Sequence, residues 1–201
     1  MIKHRMGFAV LLAIIMLSGG WSRIETPTRF MLIAQSKLWI EGTSTIHDWT
    51  CEIEQVEGFL DLETSVTAVA EFSRVEISVP VRSIDCNNGT MNKKMRKALA
   101  ADAHPLILYE LLDAKVFPGP ADEAFQLKTT GRLLMAGTAK SIEMTVEGRR
   151  LPDGRFRLTG SLPLRMTDFG IDPPKALLGT LKTGDRIVVH FDVVVAPKSK
   201  A

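Results

Sequence analysis

Between Phe72 and Arg82 the chain alternates without a break: Val75, Ile77, Val79 and Val81 share one parity, and Arg74, Glu76, Ser78, Pro80 and Arg82 share the other. A period of two marks an extended strand with one face in a core and the other in water. Arg155–Met166 repeats it, with Phe156, Leu158, Leu162, Leu164 and Met166 on the apolar side. So does Arg186–Val195, through Ile187, Val189, Phe191, Val193 and Val195. Weaker alternation covers Lys37–Gly42, Cys51–Leu62, Leu106–Ala114, Phe125–Ala136 and Ser141–Leu151, and Pro152-Asp153-Gly154 supplies a tight turn ahead of Arg155. These segments predict eight strands on mostly short connections. Such a sheet hides its apolar face and its edges by closing or stacking, so the fold class is all-β, a barrel or a sandwich.

One stretch follows another period. Met91, Met95, Ala98, Leu99 and Asp102 recur at intervals of three and four, with Lys93, Lys94, Arg96 and Lys97 assigned to the opposite side. Asn87-Asn88-Gly89-Thr90 offers a start and His104-Pro105 a stop, which predicts one short amphipathic helix inserted between strands. It either plugs one end of the sheet or forms a lid through Met91, Met95 and Leu99, since methionine repacks easily. Its basic side is read as solvated, or as a face for transient contact with membrane phosphates.

The amino terminus has its own pattern. Lys3, His4 and Arg5 precede the apolar run Gly7–Leu17 and the small residues Ser18-Gly19-Gly20, which predicts a secretory signal over residues 1–20. The run is shorter than the roughly 20 apolar residues that cross a bilayer. Residues 21–35 then read as a linker and 36–197 as one domain of a size that buries a substantial core. The chain holds 25 Lys and Arg against 23 Asp and Glu, and without Lys3 and Arg5 the two counts are equal. A balanced body offers no electrostatic footprint for nucleic acid. The expected location is outside the cytoplasm, in a bacterial periplasm.

The stretch Thr43-Ser-Thr-Ile-His-Asp-Trp-Thr-Cys51 brings Ser44, His47, Asp48 and Cys51 within nine residues, as a nucleophile and its base would require. In an extended strand, however, His47 and Asp48 point to opposite faces, and a base needs a third group to orient it. His104 and His190 lie far away in sequence, too distant for the usual ligand pairs of a metal site. The pair therefore reads as turn chemistry, and no enzyme, metal or cofactor is expected. Cys51 has another partner. If Cys51–Leu62 and Phe72–Ile84 pair as neighbours, with Leu62 about opposite Phe72, then Cys51 lies beside Ser83–Cys86 at the open end of the hairpin, and an oxidising compartment would join Cys51 to Cys86.

Several segments together resemble a known family. Ser36–Ser44 followed by His47-Asp48-Trp49, Gly58-Phe59, Ile77–Val81 with Arg82-Ser83-Ile84, the helix from Met91 to Ala100, His104–Tyr109, Gly131-Arg132-Leu133, Ala136-Gly137-Thr138 and above all Thr167–Pro174 run in the order seen in YceI-like proteins. The resemblance implies an extended, eight-stranded antiparallel lipocalin-like barrel whose interior holds a polyisoprenoid or an isoprenoid quinone.

On that reading the ligand is an apolar lipid, and its tail lies among Ile77, Val79, Val81, Ile107, Tyr109, Leu133, Phe156, Leu158, Leu162, Leu164, Phe191 and Val193. Gly131 and Gly160, small residues on inward parities, are expected to leave space for it. The rival is a cell-envelope interaction module with a filled barrel. A homodimer is compatible with either.

Overall fold

The computed structural model describes residues 27–63, 71–176 and 181–198; the expected signal, residues 1–20, and residues 64–70 between two predicted strands lie outside these. Its strands are β1 (Thr28–Leu32), β2 (Lys37–Ser44), β3 (Trp49–Ile53), β4 (Glu57–Glu63), β5 (Glu71–Pro80), β6 (Ile84–Asp85), β7 (Leu106–Pro118), β8 (Ala124–Met135), β9 (Thr138–Arg150), β10 (Phe156–Arg165), β11 (Lys175–Ala176) and β12 (Leu181–Pro197). Helix α1 spans Gly89–Ala98.

Three pairs of consecutive strands act as single bent walls. β1 and β2 both pair with β12, β1 also pairs with β4, and β2 with β3. β4 pairs with β5 while β3 pairs with β6. Counting β1–β2, β3–β4 and β5–β6 as one wall each, neighbours in sequence are neighbours in space from β5 through β7, β8, β9 and β10 to β12, and β12 returns to the first wall. The result is a closed antiparallel barrel of eight strands. Closure removes the long outer edges of the sheet.

The bends have local causes. β5 ends at Pro80, a 3₁₀ turn follows at Val81–Ser83, and the Ser83 hydroxyl lies 2.8 Å from the Pro80 carbonyl oxygen and 3.1 Å from that of Gln55. The Glu54 N–H donates to the Ser83 carbonyl at 2.9 Å, so the two neighbouring bends are stitched together. Val81 is thereby carried out of its strand. It packs in the core at 1% exposure but not along the wall of the central cavity described below.

Residues 28–32, read from the sequence as part of a linker, form β1. Phe30 is buried, and the Arg29 guanidinium donates to both carboxylate oxygens of the buried Asp61 at 2.7 Å. That contact holds the Asp61 carboxyl below its ordinary value. A five-residue segment following a polar stretch carries too short a period to be told from a loop, and only pairing with β4 and β12 makes it a strand.

Rings fill the space above glycines. A Cβ on Gly131 would come within 2.2 Å of the Tyr109 ring, one on Gly160 within 2.5 Å of the Phe191 ring, and one on Gly148 within 2.1 Å of the Phe125 ring. The expectation that Gly131 and Gly160 leave space is therefore wrong. Each is a berth in which an aromatic ring from the neighbouring strand lies flat against the sheet.

Helix α1 begins at Asn88, whose side-chain oxygen accepts from the N–H groups of Thr90 and Met91 at 3.0 Å. It ends earlier than His104-Pro105. Ala100 turns to φ 49°, and the N–H groups of Ala100 and Ala101 donate to the carbonyls of Lys97 and Arg96, a Schellman ending with alanine where glycine is usual. A disulfide joins Cys51 and Cys86, anchoring the segment that leads into α1.

Candidate functional site

The interior divides into three levels along the barrel axis. At the end reached by the last residues of β12, Phe30, Phe72, Phe125 and Phe156 meet ring to ring, with centroids 5.2 Å apart for Phe30–Phe156, 5.8 Å for Phe72–Phe125 and 6.1 Å for Phe125–Phe156. These side chains close that end. Phe156 thus belongs to the plug rather than to the wall of the central cavity.

The middle level is a cavity of about 210 Å³. Of the side chains expected from alternation, Ile77 and Val79 of β5, Ile107 and Tyr109 of β7, Leu133 of β8, Leu158 and Leu162 of β10, and Phe191 and Val193 of β12 stand on its wall. Leu164 packs beside it in the core. Sequence reasoning missed Leu38 and Ile40 of β2, Ile53 of β3, Leu60 of β4, and Ile142, Met144 and Val146 of β9, all of which share the wall. The signal was available in β9, where those three alternate with Glu143, Thr145 and Glu147.

The chemistry of this cavity is almost wholly apolar. Its polar side chains are Tyr109 and Thr129. The Thr129 hydroxyl donates to the Met144 carbonyl at 3.2 Å, and burial pushes the Tyr109 phenol above its ordinary value, so it stays protonated. Among the described residues no carboxylate, imidazole or ammonium reaches the wall. An engineered apolar cavity of about 150 Å³ stays dry and takes up benzene. This one is larger, and it favours hydrocarbon over water by the same physics.

The third level lies under α1. A second cavity of about 410 Å³ is walled by Met91, Met95, Ala98 and Leu99 of the helix, by the Cys51–Cys86 disulfide, and by Trp49, Met135, Met166, Ile171 and Ile187 from the barrel end. Ile40 lines both cavities, so they are adjacent along the axis. Met91, Met95 and Leu99, the expected lid side chains, all face this space. Lys94, placed by the sequence pattern on the opposite side of the helix, also faces it.

His47 and Ser44 stand at the rim of the second cavity in the turn between β2 and β3. The Ser44 hydroxyl donates to the His47 carbonyl at 2.7 Å and accepts from the N–H groups of Ile46 and His47. The His47 Nδ1 lies 2.7 Å from the Asp48 carbonyl oxygen. These polar groups are engaged with the turn's own backbone, and the serine hydroxyl is not presented to the imidazole. His190 sits on the outer face, stacked on Trp39 at 5.0 Å with its Nε2 3.2 Å from Glu41.

A closed antiparallel barrel with an apolar interior and a helix across one end defines a lipocalin-like protein. A model of the YceI-like domain matches residues 33–195, and the chain belongs to that family. Among solved structures it is similar to a polyisoprenoid-binding domain from Saccharophagus degradans implicated in plant cell wall breakdown, 14% identical, covering 86% of this chain and 99% of that one with a TM-score of 0.66. It is also similar to BcnA of Burkholderia cenocepacia, at 14% identity, 81% and 98% coverage and a TM-score of 0.64. The YCEI protein of Campylobacter jejuni is 18% identical over 75% of this chain and 85% of its own, with a TM-score of 0.58. At these identities the likeness is one of fold. Comparison with curated proteins gives no match.

Proposed function

We propose that this protein is a carrier that encloses the hydrocarbon chain of an isoprenoid lipid or quinone inside the barrel, and that it works in the bacterial periplasm. The observation that carries the reading is the central cavity, whose wall, among the described residues, holds no ionisable group besides the protonated Tyr109. Each CH₂ moved from water into such a space contributes roughly 0.8 kcal/mol, so a prenyl chain binds without any catalytic group. The disulfide between Cys51 and Cys86 accords with an oxidising compartment. The similar domain from Saccharophagus degradans, described as polyisoprenoid-binding, supports the choice of ligand class.

Native mass spectrometry after detergent-free purification tests this. The carrier reading expects a lipid-sized mass adduct, or stoichiometric uptake of an added prenyl alcohol or quinone by stripped protein. A bare mass with no uptake of either compound favours a filled interaction module instead.

A further inference from the structure

Both ends of the interior are obstructed. The four phenylalanines fill one, and α1, rooted by the Cys51–Cys86 disulfide, roofs the other. A chain bound in the central cavity must displace one of these or pass through the wall. The wall has one incomplete seam. β9 pairs with β8 along its length, and β10 pairs with β12 through all of Phe156–Arg165. Between them, β9 and β10 pair only from Arg150 opposite Phe156 to Val146 opposite Gly160. Past that fork, Thr138–Thr145 and Ser161–Arg165 run as two facing edges that share no ladder. Their side-chain bonds go elsewhere, with Arg165 donating to Asp185 and the Met144 carbonyl accepting from Thr129. Among the described residues no ion pair bridges them.

The sequence keeps this seam from zipping. Proline has no N–H to give a ladder and stands in strands at unpartnered edges, and Pro163 lies midway along this one. Lys140 and Glu143, both exposed on the facing edge of β9, blunt it against an added strand as well. The result is a slot with four sides. Its two ends are the fork at Gly160 and the 3₁₀ turn Met166–Phe169, which touches both strands. The unpaired part of β10 gives it a height of roughly 16 Å at about 3.3 Å per residue. A cleft of about 760 Å³ occupies the slot. Ile142 and Leu162 line both this cleft and the central cavity, so an apolar throat joins the interior to the outside.

From this geometry we propose that the slot between β9 and β10 is a side portal, through which the hydrocarbon chain enters and leaves the central cavity across the barrel wall. This rests on the carrier reading and adds the route. Passage there displaces water and breaks no ladder hydrogen bond, whereas exit beneath α1 or past the phenylalanines disturbs packed side chains.

The rate at which a prenyl quinone moves from the loaded, oxidised protein to phosphatidylcholine vesicles carrying a fluorophore that the quinone quenches tests the portal. A bismaleimide joining Glu143→Cys/Ser161→Cys, or Glu143→Cys/Pro163→Cys as a second staple, ties the slot shut. Each is compared with the same variant before cross-linking. Transfer is expected to slow by roughly tenfold or more while the equilibrium affinity stays unchanged, because a portal acts on entry and exit alike. Gln126→Cys/Glu147→Cys, joined across the fully paired β8 and β9, should transfer at the parent rate. Unchanged transfer through a stapled slot overturns the portal and leaves the carrier standing. So does slowing that appears only when Lys94→Cys/Lys175→Cys pins α1 across the mouth, which would place the route there. If the parent protein takes up no prenyl quinone, the carrier reading itself falls and the portal with it.

Discussion

At the scale of single residues, the interior is shaped by rings lying over glycines. Tyr109, Phe125 and Phe191 each occupy the volume that a Cβ on Gly131, Gly148 or Gly160 would need. These glycines looked like gaps in the sequence because alternation shows which face a residue points to and says nothing of what its neighbour across the strand does with the space. Their part in making a cavity is indirect: by letting rings lie flat, they keep the axis open. Gly131→Ala should therefore force the Tyr109 ring inward and destabilise the fold by about 1 to 3 kcal/mol, as overpacking does. A urea denaturation midpoint equal to that of the parent protein would contradict this. Lys94 teaches a similar lesson. A helical wheel puts it near the boundary of the apolar stripe, and its long stem allows it to belong to either side. Only the position of α1 over the barrel mouth turns it inward.

Among the elements, the strongly alternating strands were legible because their period is long enough to be unmistakable: β5, β10 and β12 contain the predicted segments Phe72–Arg82, Arg155–Met166 and Arg186–Val195 almost whole. What escaped was the bending. The predicted strand Cys51–Leu62 is split at Glu54–Val56 into β3 and β4, and the wall ahead of it is split into β1 and β2. Periodicity is blind to such breaks, because a bend preserves the inward and outward parity on either side. Cys51 meets Cys86 because the register slips at the bends: with Leu62 opposite Phe72 it would fall level with Ser83, but Glu52 lies opposite Asp85 and Ile53 opposite Ile84, which brings it level with Cys86. That bridge links positions 35 apart, and its loss in Cys51→Ala/Cys86→Ala should cost about 3 to 4 kcal/mol in the chain-entropy model. Equilibrium unfolding in urea measures it; an unchanged unfolding free energy would show that the bridge constrains nothing. The cysteines also sit at the root of α1, so the same variant is expected to expose the backbone of α1 to hydrogen exchange before that of β8 and β9.

For the whole molecule, closure decides what the interior can be. Eight strands make a barrel narrow enough for side chains to fill or wide enough for one slender ligand. Here the two outcomes divide the axis between them: phenylalanines fill one end, and two adjacent cavities of about 210 and 410 Å³ occupy the rest, the second roofed by α1. Alternation located the central wall, while the third level was hidden in the sequence because it is assembled from a helix, a turn, the disulfide and strand ends that only closure brings together. The most direct test is the electron density along the barrel axis in a crystal of protein saturated with a long-chain prenyl compound. The account predicts continuous, chain-like density bordered by Ile77, Leu133 and Phe191. An interior packed with side chains from end to end, or one holding only separate ordered waters, would contradict it.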